Sequence, residues 1–224
     1  MKVLKKLLII IAAFVFLLSI IITISFINLN NKTKKTMDDY AYIYTEEKYA
    51  TPHYIDNVEV FKQDVSCGYA VIEMFAKWNN IDYLTENYLY TEYGKVVTST
   101  GKSFEKEMNK QFASYQTTMY KYLTNTDLID KVYTSLSNGM PVPFEWAAKL
   151  DDTWTLHYSL IIGIDIKQDK IIIANPYGYI ENISISEFLD RTSFSSYEKM
   201  PLFLKLGFAF NVFEKNTIFI ITNK

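Results

Sequence analysis

Leu7 to Ile27 is an almost unbroken apolar run, interrupted only by Ser19, Thr23 and Ser25, and no other segment leaves the chain so little choice of structure. A backbone in hydrocarbon must satisfy its own hydrogen bonds, so such a run is a helix. At about 1.5 Å per residue it spans a bilayer core of about 30 Å. Lys2, Lys5 and Lys6 precede it; Lys32, Lys34 and Lys35 follow. The residues around Ile24-Ser25-Phe26 give no A-x-A-like cleavage site, which favours an uncleaved signal anchor over a cleaved signal or a buried core helix. A very short basic tail stays on the cytoplasmic side, so the rest of a single-pass chain is expected outside the cell membrane. The organisation reads as a basic tail (1–6), a transmembrane signal anchor (7–27), a polar, lysine-rich tether (28–39) and a globular domain (40–224).

Within that domain the hydrophobic period changes part-way. Val71, Met74, Phe75 and Trp78 recur at helical spacing and predict a helix from Cys67 to Asn79. Phe104, Met108, Phe112, Tyr115 and Met119 predict a second helix from Ser103 to about Leu123. Leu128, Ile129, Val132 and Leu136 predict a third from Asp127 to Ser137, stopped by Asn138-Gly139. Strands are then expected over Pro141–Trp146, Leu156–Ile164 and Lys170–Ala174, with a turn at Asn175-Pro176-Tyr177-Gly178. Ser184-Ile185-Ser186-Glu187 matches a capping box and starts a short helix through Arg191. Thr217–Thr222 closes the chain as a strand; residues 192–215 are aromatic and carry no readable period. Helices first and a sheet second give an α+β class, with a helical part packed on an antiparallel sheet.

The composition narrows the function classes. Hydrophobic residues make up 49% and the net charge is -2 with mixed signs, which supplies a core but no nucleic-acid footprint. Two histidines and one cysteine are too few for the common zinc sets, and no metal or cofactor is expected. One cysteine cannot form an internal disulfide. Cys67 reads either as a small buried apolar residue or as a working thiol.

The surroundings of Cys67 support the second reading. A helix start carries unpaired amides and partial positive charge. Together with a nearby imidazolium it lowers a thiol pKa from about 8.5 to roughly 3.5–7.5. Gly68 lets a substrate carbonyl approach the backbone. The Cys67 amide can then donate to an oxyanion, and Gln63 can supply a second donor. The base is His53 or His157. His53 stands in a loop-like context, Thr51-Pro52-His53-Tyr54; His157 stands on a strand. With a hairpin turn centred near Lys167, His157 lies opposite Tyr177 and Ser159 opposite Asn175. His157 and Asn175 are then diagonal neighbours on one face, about 7–8 Å apart at the backbone. A slip of one residue would put them on opposite faces. In that register the Asn175 carboxamide accepts from one ring nitrogen and leaves the other to Cys67, the orienting role of a triad. The plainer alternatives are a core histidine and an Asn-Pro turn residue.

With these residues assembled, the chain resembles the C39-like family of papain-like cysteine peptidases. Four stretches carry the resemblance. Gln63-Asp64-Val65-Ser66-Cys67-Gly68-Tyr69-Ala70 is similar to that family's glutamine followed by Cys-Gly. Asn138-Gly139-Met140-Pro141-Val142 is similar to its Gly-x-Pro-Val lead-in to the sheet. His157-Tyr158-Ser159-Leu160-Ile161-Ile162-Gly163-Ile164-Asp165 is similar to its His-Tyr…Gly-x-Asp strand. Ile173-Ala174-Asn175-Pro176-Tyr177-Gly178, then Ile185-Ser186-Glu187-Phe188, is similar to its Asp-Pro…Gly…Glu-Phe stretch. Asn175 stands where the family often has aspartate, and Gln63 lies nearer to Cys67 than in many papain-like enzymes.

The resemblance runs from about Val58 to the C-terminus. It implies a papain-like fold and hydrolysis of a peptide or protein substrate through a Cys67 thioester, with His157 as base and acid. Some relatives are fused to exporters and trim leader peptides. This chain carries no P-loop, so that substrate is not implied. The order Cys…His…Asn also permits another thiol acyl-transfer enzyme, such as a cell-wall amidase or a transglutaminase-like enzyme. An inactive peptide-binding domain is the reading without chemistry.

Overall fold

The computed structural model of the protein describes residues 2–94, 99–150, 152–194 and 199–224. Helix α1 (Lys2–Thr36) leads into short 3₁₀ turns and a two-residue strand β1 (His53–Tyr54). Helices α2 (Cys67–Trp78), α3 (Glu86–Tyr93) and α4 (Gly101–Gln111) follow, then strand β2 (Tyr115–Tyr120) and helix α5 (Asn125–Ser137). Strands β3 (Val142–Leu150), β4 (Thr153–Asp165), β5 (Lys170–Asn175) and β6 (Tyr179–Ile183) form a meander. Helices α6 (Ile185–Ser193) and α7 (Leu202–Ala209) precede the last strand, β7 (Thr217–Asn223).

The strand order is β2-β7-β3-β4-β5-β6, all antiparallel, with β1 pairing the far end of β4. The α+β class with an antiparallel sheet is the one expected. The core lies between α2 and α5 and the central strands. Val71, Met74, Phe75, Leu128, Ile129, Val132, Leu160, Ile161 and Ile173 are fully buried there. Such side chains contribute roughly 1.5–3 kcal/mol each by leaving water.

Three expectations are revised. The helix expected over Ser103–Leu123 ends at Gln111, and Tyr115–Tyr120 is strand β2, paired along its length with β7. Tyr115 and Met119 satisfy a spacing of four, yet the β-branched pair Thr117-Thr118 suits a strand, and β7 supplies the ladder. Helix α4 is fastened over this strand: the Asn109 carboxamide accepts from Thr117 N–H at 2.8 Å, and the Glu105 carboxylate accepts from Met119 N–H at 2.7 Å.

Second, residues 28–39 were expected as a tether, but α1 continues to Thr36. Leu29, Thr33 and Thr36 recur at helical spacing and are buried, and Leu29 joins an apolar cluster with Leu204 and Phe208 of α7. Lys32 donates to Asn211 at 2.7 Å. Third, the aromatic stretch without a period contains α7, and the unanticipated helix α3 is capped by Thr85, whose hydroxyl accepts from Tyr88 N–H.

Candidate active site

Cys67 is the first residue of α2, and Ser66 caps that helix by accepting from Tyr69 N–H at 3.5 Å. The loop before it is clamped from two sides. Gln63 N–H donates to the Pro176 carbonyl at 2.7 Å, and Lys62 bridges to Tyr177. This close approach requires Gly178: at φ +94 a Cβ there would stand 3.2 Å from the Lys62 Cβ. From the other side the Glu86 carboxylate accepts from the backbone N–H groups of Asp64 (2.9 Å), Val65 (2.7 Å) and Ser66 (2.5 Å). Glu86 N–H itself donates to Glu73 of α2 at 2.6 Å. Glu86 is 7% exposed, so its charge is held by these donors.

His157 stands on β4 and Asn175 ends β5. The pairs Leu160↔Ala174 and Ile161↔Ile173, continued toward His157, give the register expected from the sequence. A bulge between Ile161 and Gly163 then shifts the pairing on the turn side by one residue, so the half that carries His157 keeps its faces. His157 Nε2 and Asn175 Oδ1 are 3.0 Å apart. An amide oxygen only accepts, so Nε2 carries the proton and Nδ1 keeps its lone pair. Asn175 Oδ1 also accepts from Tyr177 N–H at 3.0 Å, and Nδ2 donates to Glu181 Oε2 at 2.8 Å, which fixes the carboxamide orientation. The Tyr177 ring stacks on the imidazole, with centroids 4.3 Å apart. His157 is 1% exposed and Asn175 0%.

Behind this pair lies a chain of charges. Glu181 Oε1 accepts from Arg191 Nη1 at 2.6 Å. Arg191 Nε donates to the Ala147 carbonyl at 2.9 Å, and its guanidinium lies 3.4 Å from the centroid of the Trp146 ring. Trp146 is the partner of His157 across β3 and β4, and its Nε1 donates to Ser159 Oγ at 3.1 Å. A polar network of this kind holds one geometry because every member has a partner.

The sulfur is linked to β4 through the backbone. The thiol takes hydrogen bonds from the amides of Tyr158, Gly68 and Cys67 itself, and Tyr158 directly follows His157. Burial outweighs these donors and pushes the thiol up to about 11, although Cys67 as a residue keeps intermediate exposure. Burial also pulls His157 down to about 4, against the raising effect of the Asn175 bond, and Arg191 lowers it further. Burial therefore favours the neutral form of both the thiol and the imidazole. This differs from the thiolate–imidazolium pair expected from the helix start: desolvation penalises both charged forms, and three amides do not offset it. Glu145 opposite Tyr158 adds to the same trend. Its carboxyl is pushed up to about 8 by burial, and it accepts from the Tyr158 hydroxyl at 2.5 Å.

Gln63 is brought beside Pro176, and its carboxamide oxygen is buried with no hydrogen-bond partner among the described residues. An unpaired buried group calls for an explanation outside the fold's own bonding. His53 is not part of this site. It pairs with Ile164, about 23 Å along β4 from His157 at about 3.3 Å per residue, and its ring packs on Tyr133. Among the described residues no group of three His, Cys, Asp or Glu side chains is arranged to hold a metal ion.

The sequence pattern of the Peptidase_C39 like family matches residues 55–201. The chain belongs to that family. The C39-like match covers α2 with Cys67, the β3–β6 meander with His157 and Asn175, and α6 with Arg191. The α+β, papain-like architecture is thus that of a C39-like peptidase domain. Among solved structures the chain is similar to a double glycine motif protease from an AMS/PCAT transporter, crystallised in complex with the leader peptide. The identity is 13%, the similarity covers 77% of this chain and 99% of that one, and the TM-score is 0.46. No curated protein matches. Outside the C39-like match, α1 is long and apolar enough to cross a membrane.

Glu86, Glu181 and Arg191, and the stacking role of Tyr177, are not among the site residues expected from the sequence. Tyr177 was legible, since the register sets it opposite His157. The three charges were not: each acts on residues brought near only by the fold.

Proposed function

We propose that this C39-like protein is a membrane-anchored cysteine peptidase with its catalytic domain on the extracytoplasmic side. The carrying observation is the Nε2–Oδ1 bond between His157 and Asn175, with the Cys67 sulfur on the amide of the very next residue. Asn175 holds the ring so that Nδ1 is the free base. Nδ1 takes the thiol proton as the sulfur attacks the scissile carbonyl. A C–S bond forms, and the carbonyl π pair moves to oxygen, where the Cys67 amide and the Gln63 carboxamide hold the charge. The oxyanion collapses, the C–N bond breaks, and the imidazolium gives its proton to the leaving amine. Water, deprotonated by His157, then attacks the thioester, releasing a carboxylic acid and restoring the thiol. Because burial favours the neutral forms, proton transfer accompanies attack. No metal or cofactor enters these steps.

The test uses the full chain in lipid vesicles with a panel of peptides, peptidoglycan fragments and amine acceptors. Peptide hydrolysis that disappears in Cys67→Ser is expected. Turnover confined to peptidoglycan, or acyl transfer to amines in preference to water, would reassign the chemistry to an amidase or a transglutaminase-like enzyme. Peptide binding without turnover would make it a binding domain.

A further inference from the structure

Helix α7 has the sequence Leu202-Phe203-Leu204-Lys205-Leu206-Gly207-Phe208-Ala209, with a single charge, and it is apolar on every side. A helix of that kind is ordinarily buried, in a core or in a membrane. Here one stripe is buried: Leu204 and Phe208 pack with Phe194 and with Leu29 of α1. The other side is open. Leu202 is 68% exposed, Phe203 67%, and beyond the helix end Val212 is 50% and Phe210 44% exposed. The location accounts for this surface. The α1 residues packed on the α7 cluster are Phe26 and Leu29, while the apolar run ends at Ile27. Helix α7 therefore sits within about one turn, about 5.4 Å, of where α1 leaves the hydrocarbon. Lys32, Lys34 and Lys35 follow on the same helix, within about 12 Å of Ile27 at about 1.5 Å per residue.

We propose that α7, with Phe210 and Val212, is a second membrane contact: its open apolar side lies in the bilayer interface beside α1. This rests on α1 being a membrane anchor. The occupant is the lipid surface, because the exposed residues stand on a helix packed against the end of an apolar span that itself requires lipid. Leu29, packed in one cluster with Leu204 and Phe208, and the Lys32–Asn211 hydrogen bond join α1 to the α7 region. The catalytic domain is then held close to the bilayer at a fixed height, and its substrates are peptide segments at or near the membrane surface.

The test is depth-resolved quenching of the full chain in phosphatidylcholine/phosphatidylglycerol vesicles. In a Cys67→Ser background, single cysteines are introduced by Leu202→Cys, Ile11→Cys or Tyr83→Cys and labelled with a small environment-sensitive fluorophore. Tyr83 is an exposed side chain in the loop between α2 and α3. Interfacial helices lie about 5–10 Å into the headgroup and acyl boundary. The label at 202 should therefore lose most of its emission to lipids brominated at a shallow acyl position, the label at 11 to deeply brominated lipids, and the label at 83 to neither. Strong quenching at 11 with the 202 label behaving like the 83 label would overturn the second contact while leaving the anchor intact. Absence of quenching at 11 would overturn the anchor and the contact with it. A blue-shifted 202 label that no bromine quenches would assign this face to a second copy of the chain and overturn the lipid contact.

Discussion

The two halves of the site are held in different ways. The imidazole half is built from side chains: His157 on Asn175, Asn175 on Glu181, Glu181 on Arg191, and Arg191 over Trp146. The sulfur half is built from backbone: a helix start, three amides on the sulfur, and a loop whose own amides end on one carboxylate, Glu86. Each half is therefore vulnerable in a different place. The imidazole half fails when one side chain in a chain of partners is cut. The sulfur half depends on fewer side-chain links, because backbone amides cannot be mutated away.

The largest expected effect lies where both halves meet. Cys67→Ala should abolish peptide cleavage, and His157→Ala should lower kcat by about 10²–10⁴, the usual contribution of a general acid–base group. Full-chain kinetics checks both, and Tm should change little in Cys67→Ala.

Next comes the backbone half. Glu86→Ala removes the carboxylate that accepts from three half-buried amides. Hydrogen bonds to a charged group are worth about 1.5–3 kcal/mol, so a loss of about 3 kcal/mol is expected by chemical denaturation. Glu86→Gln keeps one oxygen and should recover part of it.

The imidazole half should respond to its outermost link. In Glu181→Ala the Asn175 amide loses its acceptor and Arg191 loses a partner. We expect kcat to fall about 10-fold, equivalent to about 1.4 kcal/mol, with KM little changed; Glu181→Gln should restore most of it. An equal fall in folded fraction, with kcat per folded molecule unchanged, would reduce Glu181 to a structural role.

Acid stability separates the halves by sign. The folded value of His157, about 4, lies below its ordinary 6.5. As pH falls from 6.5 toward 4 the unfolded chain takes up the proton first. Stability present above 6.5 is therefore lost, by roughly 3 kcal/mol in total. His157→Asn should flatten this slope in pH-dependent denaturation. Glu145 works in the opposite sense: its folded value, about 8, lies above the ordinary 4.5, so its stability cost grows as pH rises between the two, and Glu145→Gln should remove that rise. The smallest effect is expected at Tyr177→Leu, which removes a ring stacked on the imidazole and should cost about 0.5–1.5 kcal/mol.

The sequence carried the imidazole half further than the sulfur half. A strand period of two and a turn near Lys167 were enough to bring His157 and Asn175 to one face. The bulge between Ile161 and Gly163 falls on the far side of the register and leaves that face unchanged. The start of α2 was legible from the apolar stripe after Cys67, while its Ser66 cap was not. Glu86 was not, because its role comes from folding α3 back onto the loop before Cys67, and one acid at a helix start has no spacing signature. Arg191 was read as the end of a short helix, and its link to Glu181 depends on how α6 packs on β3 and β6. The α4–β2 junction was misread because Tyr115 and Met119 fit a helix as well as a strand, and only pairing with β7 decides between them. Residues 192–215 gave no period because α7 is apolar all round, so no polar face marks its turn.

The cysteine count permits a direct test of the central chemistry, since any thiol adduct reports Cys67 alone. Intact-mass analysis of the full chain, acid-quenched during turnover of a cleaved peptide, should reveal an acyl group of the N-terminal product's mass. It should be released by hydroxylamine, absent in Cys67→Ala and strongly reduced in His157→Ala. Continued peptide cleavage by Cys67→Ala, with no thioester at any time point, would contradict a Cys67 nucleophile.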